Sequence, residues 1–137
     1  MVVCVLKKFG LSEKERIKSK KDFQKIFSLG KNQFSSDKKI KATYIAEKNG
    51  LQPGVKIAAA VSRKAGIAVW RNRFKRLVKE SYRKNKYMLL DISEKDHLNI
   101  KIIFSPFLLN QKNNKIIKLQ EITSAVVNVL IKIKSSL

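Results

Sequence analysis

The chain has 137 residues, 44% of them hydrophobic, with 31 Lys and Arg against 10 Asp and Glu for a net charge of +21. That length suits one domain burying roughly two-thirds of its unfolded surface, and the apolar content suffices for a core, so the chain need not be a disordered basic tail. So large a cationic excess opposes compaction by self-repulsion and favours a polyanion, nucleic acid first and an anionic membrane surface second.

Residues 1–15 read as a partly flexible extension ahead of the folded part. Ser19 followed by Asp22 predicts a helix N-terminus, the hydroxyl capping a free amide and the carboxylate favoured by the dipole. This helix carries Phe23, Ile26 and Phe27 and stops at Gly30, a suitable left-handed C-terminal residue. Lys31 to Asp37 is polar apart from Phe34 and holds a turn or a short edge strand. Lys39 to Ala46 alternates, with Ile40, Ala42 and Tyr44 on one side and Lys41, Thr43 and Ile45 on the other, which predicts a half-buried strand. The turn-rich Asn49-Gly50-Leu51-Gln52-Pro53-Gly54 reverses the chain, and Lys56 to Ser62 returns as a second strand. Lys64-Ala65-Gly66 breaks it.

The segment from Arg63 to Lys86 holds ten Lys or Arg against one acid, Glu80. At about 100° per residue, Trp70, Phe74, Leu77 and Val78 share an arc with Val69 and Tyr82 at its edges. Arg71, Asn72, Lys75, Arg76, Lys79 and Arg83 take the opposite arc, and Arg73 sits at a boundary. One face is suited to burial and the other to phosphate, for which arginine offers paired donors. The helix ends by Asn85. Tyr87 to Asp91 is apolar without a clear period, and Ser93 to Asp96 reads as polar loop. Asn99 to Phe104 is a strand terminated by Ser105-Pro106. Leu119, Ile122, Val126, Val129, Leu130 and Ile133 form the stripe of a closing amphipathic helix, with Glu121, Ser124, Asn128 and Lys132 opposite. The order is that of one α+β domain over residues 1–137.

Catalytic constellations are hard to build from this composition. His97 is the sole histidine and Cys4 the sole cysteine, which argues against a zinc site and an internal disulfide and fits a reducing compartment. There is no Gly-rich phosphate loop, and Asp91, Glu94 and Asp96 are the only local group of acids, more readily a solvated loop than a metal site. The apolar start is too short, and its lysines follow it, for a signal peptide; no stretch nears the roughly 20 apolar residues of a membrane span. The expectation is a soluble cytoplasmic protein with no membrane partner that performs no chemistry alone.

Ala68-Val69-Trp70-Arg71-Asn72-Arg73-Phe74-Lys75-Arg76, preceded by Ser62-Arg63-Lys64-Ala65-Gly66, resembles the RNR signature of the bacterial ribonuclease P protein family. Lys21-Asp22-Phe23-Gln24-Lys25-Ile26-Phe27 with Gly30 resembles that family's first helix, and Lys95-Asp96 with Pro106 is a looser match. The resemblance implies an αβββαβα fold, a mixed sheet with helices and a left-handed βαβ crossover. It implies a subunit of the ribonucleoprotein that removes the 5′ leader of precursor tRNA, one protein to one RNA subunit. The RNA subunit, which requires Mg2+, is then the catalyst, and the protein alone binds no cofactor. Position by position it implies that Arg63, Lys64, Arg71, Asn72, Arg73, Lys75, Arg76, Lys79 and Arg83 contact the catalytic RNA. Arg16, Phe23, Phe27 and Tyr44 would border a cleft for the leader. Read alone, an i,i+4 aromatic pair means core packing more often than base stacking. Ile67, where the family often has a polar residue, and Ser105, where it often has a basic one, depart from the pattern. The alternative is a ribosomal or ribosome-associated RNA-binding protein.

Overall fold

The computed structural model describes residues 16–17, 19–48 and 54–137. The extension of residues 1–15, Cys4 and most of the turn after residue 48 lie outside them. The described elements are α1 (Lys20–Leu29), β1 (Lys31–Phe34), β2 (Ile40–Lys48), β3 (Gly54–Ala59), a 3₁₀ turn (Arg63–Ala65), α2 (Ala68–Asn85), α3 (Tyr87–Asp96), β4 (Leu98–Pro106) and α4 (Leu119–Ser136).

β4 sits inside the sheet, whose order is β1-β2-β4-β3. It runs antiparallel to β2, from Ile40 opposite Pro106 to Lys48 opposite Leu98, and parallel to β3, from Gly54 opposite Asn99 to Ala59 opposite Phe104. Proline ends β4 without loss. The N–H of Ser35 bonds the Ile40 carbonyl (3.0 Å) and the Ile40 N–H bonds Ser35 Oγ (3.2 Å), so Ile40 leaves no ladder bond for Pro106 to make. At the far edge of β3 the chain before α1 adds one rung, Ile17 N–H to Ile57 O at 2.9 Å.

Strand alternation divides the sheet into two faces. Ile40, Ala42, Tyr44, Val55, Ile57, Ile100, Ile102 and Phe104 form the main core with Trp70, Phe74, Leu77, Val78 and Tyr82 of α2, Leu89 of α3 and the α4 stripe. The opposite face holds a smaller cluster of Ile17, Ile26, Ala58 and Ile103, with Phe23 and Ile45 packed on it, and α1 is the helix that covers it. The α2 and α4 stripes expected from the sequence are the buried ones; Tyr82 moves from the edge to full burial, and Val69 lies exposed.

Three local expectations are corrected. Residues Tyr87–Asp96 are a helix, so the order is αβββααβα. Its buried face carries Leu89 and, one turn on, Ser93, which interrupts the apolar period; the serine hydroxyl is satisfied by the Leu98 carbonyl at 2.6 Å. Ser19 makes no side-chain cap, and Asp22 instead pairs with Lys101 Nζ at 3.1 Å. Gly30 is extended (φ −73), not left-handed, and what it provides is close approach: a Cβ there would lie 2.3 Å from the Ile26 carbonyl and 2.8 Å from Thr43 Cγ2.

The loop from Phe107 to Lys118 is fastened to the start of α2 by side chains. Trp70 Nε1 donates to the Asn114 carbonyl (2.9 Å), and Arg73 donates Nε (3.0 Å) and Nη2 (2.8 Å) to the Ile117 carbonyl. Gln111 Oε1 accepts from the Ile67 N–H at 2.9 Å, satisfying one free donor at the helix start, while the Gln111 N–H bonds the Ala65 carbonyl at 2.7 Å. Polar residues of α4 reach the β1–β2 turn: Asn128 Oδ1 accepts from the Ser36 N–H (2.9 Å) and Lys132 Nζ donates to the Phe34 carbonyl (2.7 Å).

Two stability outcomes follow from these contacts. Gly30→Ala is expected to cost about 1–3 kcal/mol in urea denaturation, because the colliding group is backbone. Arg73→Met should cost about 1.5–3 kcal/mol by orphaning the Ile117 carbonyl and removing a charged donor, whereas Arg76→Met, on the same helix and exposed, should stay within about 0.5 kcal/mol of wild type. Equal effects of the two arginine substitutions would show that the clasp does not stabilise the fold.

Candidate nucleic-acid interface

The side of α2 turned from the core is a strip of cations one to two turns apart. Asn72, Lys75, Arg76, Lys79, Glu80 and Arg83 line an open concavity of about 440 Å³, and Arg16 completes it from the outer edge of β3. Arg16 therefore joins the α2 strip. The sequence could not place it there, because the bridge that fixes it, Arg16 with Ile57, is long-range.

Glu80, the one acid of this helix, is spent on its own neighbours. Arg83 Nε donates to Glu80 Oε2 at 3.1 Å, Arg83 Nη2 pairs with Oε1, and Lys84 Nζ lies 3.8 Å away. The Arg83 hydrogen bond holds the Glu80 carboxyl below the usual range, and the same contact raises Arg83. Lys79 has the opposite environment: burial, then the charges of Arg16 and Lys75, push its ammonium below the usual lysine range. Cations crowd here, and an oxyanion among them would relieve the repulsion.

The remaining basic residues differ in what the fold asks of them. Arg63 and Lys64 are exposed on the 3₁₀ turn leading into α2. Arg71 is half-buried, with Nε enclosed and lacking a hydrogen-bond partner. Arg73, expected from the sequence to face phosphate, commits two of its three nitrogens to the Ile117 carbonyl; only Nη1 is left over. Gln111, Asn114 and Ile117, which hold this end of the helix, carried no sequence signal, since each contact spans 44 residues.

A second surface lies on the other face of the sheet. One flank of α1 is closed by ion pairs, Asp22 with Lys101 (3.1 Å) and Lys25 with Glu47 (2.5 Å), at the end where β4 begins. Phe23 and Phe27 occupy the opposite flank, toward the end of β4. Phe23 is half-buried against the Ile26 and Ile103 cluster, whereas Phe27 is 52% exposed. The i,i+4 pair is thus divided, one ring serving the core and one left open. By register the floor beyond them consists of Lys41, Thr43, Ser105 and Ala60, with Thr43 Oγ1 donating to Asn32 Oδ1 at 2.8 Å. Tyr44 is not part of this cleft. A one-residue step in a strand reverses the side chain, and Tyr44 lies in the main core on the opposite face, 3% exposed.

His97 is exposed in a left-handed conformation (φ 52) that ends α3, a backbone role. Asp91, Glu94 and Asp96 lie on α3 rather than a loop, and among the described residues no three His, Cys, Asp or Glu side chains converge as a metal site requires.

The family model described as Ribonuclease P matches residues 11–128. A ribonuclease P protein component from Clostridium kluyveri is 40% identical over 77 residues, a match covering 56% of this chain and 64%, just under two-thirds, of that protein. One from Clostridium botulinum is 34% identical over 118 residues, covering 86% of this chain and 93% of the relative. Among solved structures, the Staphylococcus aureus RNase P protein superposes with a TM-score of 0.63 at 25% identity, covering 88% of this chain and 95% of the other. With its two-faced α+β sheet and the basic helix carrying Arg71-Asn72-Arg73, the chain belongs to the ribonuclease P protein family.

Proposed function

We propose that this chain is the protein subunit of ribonuclease P, binding the catalytic RNA through the α2 groove and the 5′ leader of precursor tRNA through the α1 cleft. The observation that carries this reading is the separation of a cationic groove and a partly exposed aromatic flank onto opposite faces of one sheet, in a member of this family. Asn72, Lys75, Arg76, Lys79 and Arg83 with Arg16 are suited to RNA phosphates, and Arg63, Lys64, Arg71 and Arg73 Nη1 extend the contact toward the start of the helix. Phe27, with Phe23 behind it, offers a stacking wall that tolerates any base. Hydrolysis of the leader bond falls to the RNA subunit and the Mg2+ it requires. The protein's part is to neutralise phosphate charge and orient the substrate, one copy per RNA, in the cytoplasm.

Reconstitution of the full chain with a ribonuclease P RNA should stimulate 5′ maturation of precursor tRNA at low magnesium. No stimulation, together with co-sedimentation on ribosomes, would make the chain a ribosome-associated protein instead. Replacing Arg76 or Lys79 by alanine should lower the slope of log affinity against log salt for the RNA subunit by about 0.7–0.9 per lost phosphate contact. An unchanged slope would take the groove out of the interface. Phe27→Ala should weaken leader-bearing precursor relative to mature tRNA by about 1–3 kcal/mol, read from the two dissociation constants.

A further inference from the structure

The face that carries the α1 cleft does not end where α1 ends. Gly30 lies over Thr43, and two residues further along β2, about 7 Å at the usual strand rise, a second pair of rings stands on the same face. Phe34 is opposite Lys41 in the β1–β2 register, and Lys41 is opposite Ser105, so both point to the α1 side of the sheet. The Phe107 N–H bonds the Lys39 carbonyl at 2.8 Å, which continues the β2–β4 alternation one pair past Pro106 and brings Phe107 to the same side. The two rings meet edge to face, centroids 4.8 Å apart at 72°.

Phe107 is nonetheless 50% exposed. Its backbone is fixed by β2 and its ring by Phe34, so the open part of the ring is a rigid apolar surface rather than a loose side chain. Lys39 and Lys41 flank it, and the carboxylate of this turn, Asp37, is occupied by the Ser35 hydroxyl (2.6 Å) and the Lys39 N–H (3.0 Å). An aromatic platform beside lysines, continuous with a cleft of the same composition, suits bases and phosphates of a single strand better than it suits an apolar protein surface.

We infer that Phe107, propped by Phe34 and flanked by Lys41, is a second stacking platform for the single-stranded RNA leader, taking a different nucleotide from the one on Phe27. This rests on the proposed role of the α1 cleft. It would make affinity depend on leader length in two steps, one for each platform.

The test uses the reconstituted holoenzyme and precursor tRNAs whose leader is lengthened one nucleotide at a time. Wild type and Phe107→Ala should bind short-leader precursors equally and diverge by about tenfold past a threshold length. That threshold should differ from the length at which Phe27→Ala first loses affinity. Phe107→Tyr, which keeps the ring, should restore the second step, and thermal melting of each variant checks the fold. A loss by Phe107→Ala at every leader length, or no loss while Phe27→Ala shows its own, overturns the platform and leaves the α1 cleft standing. Length-independent binding by both variants removes the platform and the cleft together.

Discussion

The structure depends on how β4 is paired. It joins β2, antiparallel, to β3, the one parallel neighbour in the sheet, and its side chains alternate between two cores. Ile100, Ile102 and Phe104 anchor α2, α3 and α4; Ile103 anchors α1. A one-residue slip would exchange these sets, placing the asparagine, lysine and serine that alternate with them under three helices. Register is therefore strongly specified, and with it the separation of the α2 groove from the α1 flank. The two surfaces proposed to face RNA are held apart by the thickness of a sheet and not by a flexible linker.

The cost of this arrangement is electrostatic. A net charge of +21 on 137 residues works against compaction, and α2 concentrates that charge where one internal acid, Glu80, is already engaged by Arg83 and Lys84. The buried half of α2 offsets the repulsion, since Trp70, Phe74, Leu77, Val78 and Tyr82 lie in the main core. The free protein keeps Lys79 in a setting that disfavours its charge. In the proposed role of this groove, function and local stability pull in opposite directions, because a surface prepared for a polyanion repels itself when empty.

Most of the fold was legible from periodicity, because α2, α4 and β2 bury the side chains their spacing marks out. The failures have physical causes. α3 hides a hydrogen-bonded Ser93 on its inner face, so the apolar period that signals a helix is broken. Gly30 and Asp22 answer to tertiary neighbours, Thr43 and Lys101, that no local rule supplies. The site was legible in residue type and less so in position. The arginines of α2 could be named from the sequence, but which of them the fold uses could not: Arg73 is drawn to the Ile117 carbonyl by a loop 44 residues away. Arg16 and Tyr44 exchanged expected surroundings for the same reason, since strand pairing sets an edge position and a face that one strand alone leaves open.

The clasp between α2 and the Phe107–Lys118 loop has a bearing on how the molecule comes into being. During synthesis α2 emerges well before β4, that loop and α4, yet the start of the helix is tied through Trp70, Arg73 and Ile67 to groups that appear later. Until they arrive, α2 is an amphipathic segment with its apolar side uncovered, able to form only transiently. The cationic array thus acquires its final geometry late, when the chain beyond β4 docks. An immature chain carries the positive charge without the shape, so in the proposed role any discrimination between one RNA and another is gained only on completion of the fold.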